Sequence, residues 1–289
     1  MKLEKIITLA NAHVRIPFLA LERSLRAVGC DLPLWVIPYN EERFELPQGS
    51  SWWELKELNA WLTSQGGRPH KRKYACLLEE RYQFIDTDAI FLTNPESFLS
   101  PFEGFVTSCG HWHNPGETQT PETRAIFHKK STVWQSRVFN TGQFACDQKL
   151  YTSFQSLKTT AEKPEHIDAC LKNRFHEQPG LNLLVALSEA PITNITLPPY
   201  NIESTWAGDY GDHYERYWNN EAQKPYLIHW AGKKPDGSSA IDQLLFNFLT
   251  QEEKQSFIEQ IRQELARQSY IRTIARKAKA AYKAFCETP

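Results

Sequence analysis

Phe84-Ile85-Asp86-Thr87-Asp88-Ala89-Ile90-Phe91-Leu92 sets two carboxylates one residue apart inside an apolar run. Such a run reads as a buried strand whose acids spill into a site beyond the sheet edge. Extended residues alternate faces, so Asp86 and Asp88 point the same way and Thr87 the other. Like charges that close disfavour each other unless a cation intervenes, and a hard divalent ion bridged to phosphate is the usual one. A merely polar strand end is the competing reading, and the flanking segments must decide between the two.

Upstream, Ile6-Ile7-Thr8-Leu9-Ala10 reads as a first buried strand with Asn11-Ala12-His13 as its polar exit. Phe18, Leu21, Leu25 and Val28 recur at helical spacing, with Pro17 in the first turn and Gly29 at the end, and Leu34-Trp35-Val36-Ile37 is a second strand. Strand, helix, strand predicts a parallel sheet whose ligands bind beyond the carboxyl ends of the strands, which puts Asn11 and Asp86 at one edge. No Gly-x-Gly-x-x-Gly turn follows the first strand, which argues against a dinucleotide site. Ser51 predicts a cap for a helix running through Trp61. The basic cluster His70-Lys71-Arg72-Lys73, leading into an expected helix at Tyr74 to Leu78, is either a solvated helix start or a cation aimed at a phosphate.

Downstream, Phe105 to Ser108 is a predicted strand, and His111 and His113 read as loop histidines because no third ligand is near them. Val138 to Cys146 reads as a strand whose interior Gly142 marks a close approach. Leu150 to Leu157 and Ile167 to Leu171 look helical. Glu177 and Gln178, ahead of Pro179, open an apolar helix from Leu181 to Leu187. Trp206 to Trp218 is irregular and aromatic. Tyr226-Leu227-Ile228-His229 is a short strand followed by Gly232, Lys233 and Lys234, a setting for metal and phosphate contacts or simply a structural strand-end histidine. From about Glu252 to Phe285 the pattern is helical, and beyond Ile261 it carries Arg262, Arg267, Arg272, Arg276, Lys277, Lys279 and Lys283 against Glu264. Such an end packs on the body or rests on an anionic membrane face.

With 289 residues, 41% hydrophobic and 12% aromatic, the chain can bury a large core, which excludes disorder of the body. A net charge of -1 gives no general pull toward nucleic acid. Cys30, Cys76, Cys109, Cys146, Cys170 and Cys286 lack metal-ligand spacing and read as free thiols of a reducing compartment. The first ten residues are too short for a signal peptide, and no apolar run approaches the ~18 residues of a membrane span. A cytoplasmic protein, peripheral to the inner membrane face if its tail binds there, is expected. Nine Trp and eleven Tyr offer ring surfaces of the kind sugars stack on, besides filling the core.

Taken in order over roughly residues 4 to 240, a series of blocks gives the chain its resemblance to metal-dependent glycosyltransferases of the GT-A fold, most similar in layout to the retaining family-8 group of glycogenin and the lipopolysaccharide glycosyltransferases. Thr8-Leu9-Ala10-Asn11 resembles the segment holding the donor's base. Lys73-Tyr74 before Asp86-Thr87-Asp88 resembles the family's basic residue and Asp-x-Asp. Phe139-Asn140-Thr141-Gly142 and Glu177-Gln178-Pro179-Gly180-Leu181-Asn182 resemble its Phe-Asn-small-Gly strand and Asp-Gln-x-x-Leu-Asn block. His229-Trp230-Ala231-Gly232-Lys233-Lys234-Pro235 resembles its His-aromatic-x-Gly...Lys-Pro segment. The chain departs from the family at His13 (usually tyrosine), Glu177 (usually Asp), Asp236 (usually aromatic) and in a tighter Gly232 to Lys234 spacing.

The resemblance implies an α/β GT-A fold, a Rossmann-like mixed sheet with flanking helices, plus a C-terminal helical tail. It implies a catalytic domain over 1–250, with 1–110 the nucleotide-sugar half and 111–250 the acceptor half, and a basic tail over 251–289. Asp86, Asp88 and His229 are the implied ligands of Mn2+ or Mg2+. Ala10, Asn11, Lys73, Asp86, Thr87, Asn140, Gly232 and Lys234 are the implied donor contacts, with Gln178 beneath the anomeric carbon and Glu177 orienting sugar hydroxyls or serving as base. The partners implied are a nucleotide sugar, in the family's manner a UDP-sugar, and a glycan or glycolipid acceptor, with anionic membrane contact through 261–285. Two rivals remain. A haloacid-dehalogenase-type phosphatase expects a Thr soon after the second Asp, which Ala89-Ile90-Phe91-Leu92 does not supply, and a non-catalytic sugar-binding protein on the same fold has no distinguishing motif.

Overall fold

The computed structural model describes residues 1–110, 116–173 and 177–286, with 117 and 272–286 as backbone only. His111 and His113 therefore lie outside the described residues. The first strand, β1 (Lys5–Ala10), is buried throughout, and its alternating side chains divide the interior: Ile7 and Leu9 join one apolar cluster, Ile6 and Ala10 another. Helix α1 (Arg15–Ala27) lays Phe18, Leu21 and Leu25 on the second of these faces. Strand β2 (Leu34–Pro38) runs parallel to β1, and β3 (Ser50–Trp52) runs parallel to β2. Ser51 is thus a strand residue opposite Trp35, not the expected helix cap. The ladder on an otherwise open edge outweighs the local capping preference, and helix α2 (Lys56–Ser64) starts only afterwards.

The helix expected at Tyr74 to Leu78 is a 3₁₀ run over Pro69–Leu78, which carries Lys71, Lys73 and Tyr74 into the interior. Strand β4 (Tyr82–Ile85) pairs parallel with β1 and sends Tyr82 and Phe84 to one core, Ile85 to the other. The chain then bends through Asp86-Thr87-Asp88 before β5 (Ala89–Phe91), so the paired acids sit in a break between two strands and not on one continuous strand. Next come α3 (Pro95–Leu99), capped by Asn94, and β6 (Phe105–Thr107). Thr120 and Thr123 form a reciprocal cap for α4 (Pro121–Lys130). Within the predicted 138–146 strand, only Gln143–Cys146, β7, pairs as a strand. Helices α5 (Phe154–Ala161) and α6 (Gln178–Leu187), strands β8 (Ile192–Asn194) and β9 (Leu227–His229), then α7 (Asp242–Phe246) and α8 (Gln251–Cys286) complete the order.

The central sheet has the order β3-β2-β1-β4-β7-β6-β8, and β7 alone among its strands runs against its neighbours. A separate ribbon pairs β5 with β9 antiparallel. A third core lies against this ribbon, where Ile90, Ile228 and Trp230 meet Leu245 and Phe246 of α7 and Phe257 and Ile261 of α8. Arg23 of α1 forks onto Glu253 at 2.6 and 2.9 Å and also bonds the Phe248 carbonyl at 2.9 Å. The packed body therefore extends past residue 250, the boundary expected from sequence, to at least Ile261. Cys30, Cys76, Cys146 and Cys170 are free thiols. Among the described residues no helix is long and apolar enough to cross a membrane.

Candidate active site

The β5–β9 ribbon is what brings the predicted ligands together. Its register sets Ala89 opposite His229, the Trp230 amide donates to the Asp88 carbonyl at 2.8 Å, and the His229 amide donates to the Thr205 carbonyl at 2.7 Å. These bonds fix the backbone at both ends of the imidazole, which is why a histidine so distant in sequence arrives at the acidic bend. One donor atom each from Asp86, Asp88 and His229 lie within 4.8 Å of one another, and His229 Nε2 is 3.3 Å from Asp88 Oδ1.

Gly142 makes this approach possible. Its carbonyl accepts from the Asp86 amide at 2.7 Å, and a Cβ on it would lie 2.1 Å from His229 Cε1 and 2.9 Å from Asp86 Oδ2. Asn140, predicted as a donor contact, bonds the Gly142 amide through its side chain at 2.8 Å and so shapes this turn. Asn182 on α6 then clamps the same segment, accepting from the Phe139 amide and donating to the Phe139 carbonyl, both at 2.9 Å, and to the Gln178 carbonyl at 3.0 Å. The Phe-Asn-Thr-Gly and Gln-x-x-x-Asn blocks are thus two halves of one scaffold behind the acids.

Lys73 is 3% exposed and sits at the centre of that scaffold. Its ammonium lies 3.0 and 3.1 Å from the two Asp86 oxygens, 2.9 Å from Glu177 Oε1 and 3.2 Å from the Thr141 carbonyl. The Thr141 hydroxyl donates to the same Glu177 oxygen at 2.7 Å. Burial opposes charge on both Glu177 and Lys73, but each partner outweighs it: Glu177 is pulled down to about 2 and Lys73 is raised. Burial raises Asp86, against the pull of Lys73. Burial also works upward on Asp88, where the adjacent His229 ring prevails and the net shift is down; the same contact raises His229 against its own burial. Gln178 Oε1 is buried with no hydrogen-bond partner among the described residues, an orphan of the kind a ligand completes.

A cleft of about 490 Å³ opens in front of the acids. Of the predicted site residues, Ala10, Asn11, Asp86, Thr87, Asp88 and Lys234 line it; Lys73, Asn140, Glu177, Gln178, His229 and Gly232 do not. Gly232, at φ +68°, turns the chain from β9 into Lys233 and Lys234. Of the basic cluster flagged in the sequence, His70 lines the same cleft; sequence reasoning missed Tyr39 at the exit of β2 and the α8 residues Phe257, Gln260, Ile261 and Glu264, which line it too. Tyr39 was legible as the residue following a parallel strand; the α8 face carried no motif.

Neither the protein-family models nor the curated proteins match this sequence. Solved structures do. The bifunctional glycosyltransferase WbbM, in its apo form, superposes with a TM-score of 0.52 at 11% identity over 90% of this chain, which spans 52% of that one. The galactosyltransferase LgtC, bound to donor and acceptor sugar analogues, superposes with a TM-score of 0.52 at 13% identity, covering 86% of this chain and 98% of LgtC. The chain has the GT-A fold. At these identities the likeness is one of fold, and within the GT-A frame the acids, β9 and the cleft at the carboxyl ends of β1 and β2 belong to this chain's own geometry.

Proposed function

We propose that this protein is a metal-dependent glycosyltransferase that moves a hexose from a nucleoside-diphosphate sugar, a UDP-sugar in the first instance, to a glycan or lipid-linked acceptor with retention at the anomeric carbon. The observation that carries the reading is the convergence of Asp86, Asp88 and His229 at the head of a cleft whose other walls include the β1 exit and Lys234. Two carboxylates and one imidazole suit Mn2+ or Mg2+, and Gly142 leaves room for His229 and Asp86 to approach. A divalent ion held there supplies positive charge to the departing diphosphate.

The rest is the work of this chain's side chains. Ala10 and Asn11, with Tyr39, form the nucleoside end of the cleft, and Lys234 the phosphate end. Lys73 fixes Asp86 and Glu177 in place and takes no direct part in binding phosphate. Glu177, held ionised at a depressed pKa by two internal donors, is a poor proton acceptor, which favours an orienting role over that of a base for an inverting reaction. Gln178 offers its orphaned carbonyl oxygen to the sugar. LgtC lends support here, since it has been solved as an active-site Gln-to-Glu mutant. The basic residues from Arg262 to Lys283 are assigned to an anionic membrane face.

The test is release of nucleoside diphosphate from nucleotide sugars in the presence of Mn2+. Turnover with one donor, abolished by EDTA and by Asp88→Ala, is expected. Binding of the donor without turnover on any glycan or lipid acceptor would favour a non-catalytic sugar-binding protein.

A further inference from the structure

One wall of the cleft comes from α8, an element to which the resemblance assigns no part in donor binding. Phe257, Gln260, Ile261 and Glu264 recur at i, i+3, i+4 and i+7 and so share one helix face. Phe257 and Ile261 are buried in the core with Ile90 and Trp230, and this anchors the two polar members against the cleft. Gln260 Nε2 donates to the His13 carbonyl at 3.0 Å and lies 3.1 Å from the ring Nδ1, at the nucleoside end. Four residues on, Glu264 Oε2 lies 3.1 Å from Lys234 Nζ, at the phosphate end, with side chains 35% and 40% exposed.

A carboxylate oxygen at that distance takes one of the ammonium's three donors and offsets the charge a phosphate oxygen would use, so the two anions compete for one lysine. Ion pairs this exposed are weak and exchange readily. Resting on the donor-site reading above, we propose that Glu264 is a donor-affinity residue: it holds Lys234 before the donor arrives and yields it to the diphosphate, so its charge sets how tightly a nucleoside diphosphate binds. The release is a plain exchange of acceptors on one ammonium, with no bond made or broken. Gln260, by tying α8 to the β1 exit, keeps Glu264 in reach.

The experiment is calorimetric titration of the full chain with UDP in the presence of Mn2+, comparing wild type, E264Q, K234M and the double variant. E264Q is expected to tighten UDP about two- to fivefold, the range an exposed pair allows, and to lower the donor KM without raising kcat. In the K234M background the same substitution is expected to change affinity by less than a factor of about 1.5, there being no lysine to release. A loss of helix packing weakens binding, so tightening is not mimicked by a structural defect. Weaker or unchanged binding by E264Q overturns the proposal, as does an equal gain in both backgrounds, which is general repulsion. If neither wild type nor E264Q binds UDP, GDP or ADP with Mn2+, the donor-site reading itself fails and the proposal with it.

Discussion

Lys73 and Lys234 each face carboxylates, and the protein uses them in opposite ways. Lys73 is buried and held by Asp86, Glu177 and the Thr141 carbonyl at once, whereas Lys234 is half exposed beside Glu264 on the rim of the cleft. Burial makes the first cluster a fixed scaffold, because removing one partner strands charge in a medium that solvates it poorly. Exposure makes the second pair exchangeable, because water replaces either partner at little cost. On the function proposed above, a site that keeps metal ligands rigid and still releases a charged product needs both kinds.

The contrast breaks most visibly at Lys73. Lys73→Met leaves Asp86 and Glu177 without their cation and is expected to cost about 3–5 kcal/mol, a fall in Tm of roughly 10 °C by thermal unfolding. Lys234→Met is expected to stay within about 1 kcal/mol. Equal losses in the two variants would erase the distinction.

Acid titration sharpens the same point. Glu177 has its pKa pulled from the ordinary range down to about 2, so its contribution to stability is complete above about pH 4.5 and disappears as the pH falls through 2. The stabilisation amounts to about 3 kcal/mol. The acid limb of the wild-type stability curve is therefore expected to be steeper over this window than that of Glu177→Gln, and parallel curves would place the carboxylate outside the network.

A smaller stability effect with a specific signature is expected at Gly142. Gly142→Ala drives a methyl into His229 and Asp86, costing about 1–3 kcal/mol. It should also abolish the rise in Tm that Mn2+ gives the wild type, and a variant still stabilised by Mn2+ would move the metal elsewhere. The smallest structural effect belongs to Lys234→Met, read instead in binding. Loss of one charge-assisted bond to the diphosphate weakens UDP affinity about tenfold, while the Mn2+ effect on Tm without nucleotide stays.

Much of this was legible in the sequence where a local pattern had a global meaning. The apolar run of β1 and its polar exit and the helical spacing of Phe18, Leu21 and Leu25 follow the sequence pattern, because periodicity constrains them from within, and His229 does lie beside the acid pair. Ser51 was misread because cap preference is local while the β2 ladder that recruits it is not. Asp86 and Asp88 were placed on one strand, although the chain leaves the central sheet at Ile85 and joins a different ribbon at Ala89. A basic cluster announces the charge of Lys73 but not the partners Asp86, Glu177 and the Thr141 carbonyl that surround it. The α8 wall was hidden for a related reason: Phe257 and Ile261 mark an apolar stripe, but only tertiary packing decides that Gln260 and Glu264 beside it face a cleft.

The central claim is that Asp86, Asp88 and His229 together bind a divalent ion that recruits a nucleoside diphosphate. Thermal unfolding of wild type and Asp88→Ala with UDP, with Mn2+ and with both tests it directly, since a ligand of the folded state raises Tm. The account predicts that UDP raises the wild-type Tm only when Mn2+ is present and does not raise that of Asp88→Ala in either condition. A UDP shift of the same size in EDTA, or one retained by Asp88→Ala, would contradict it.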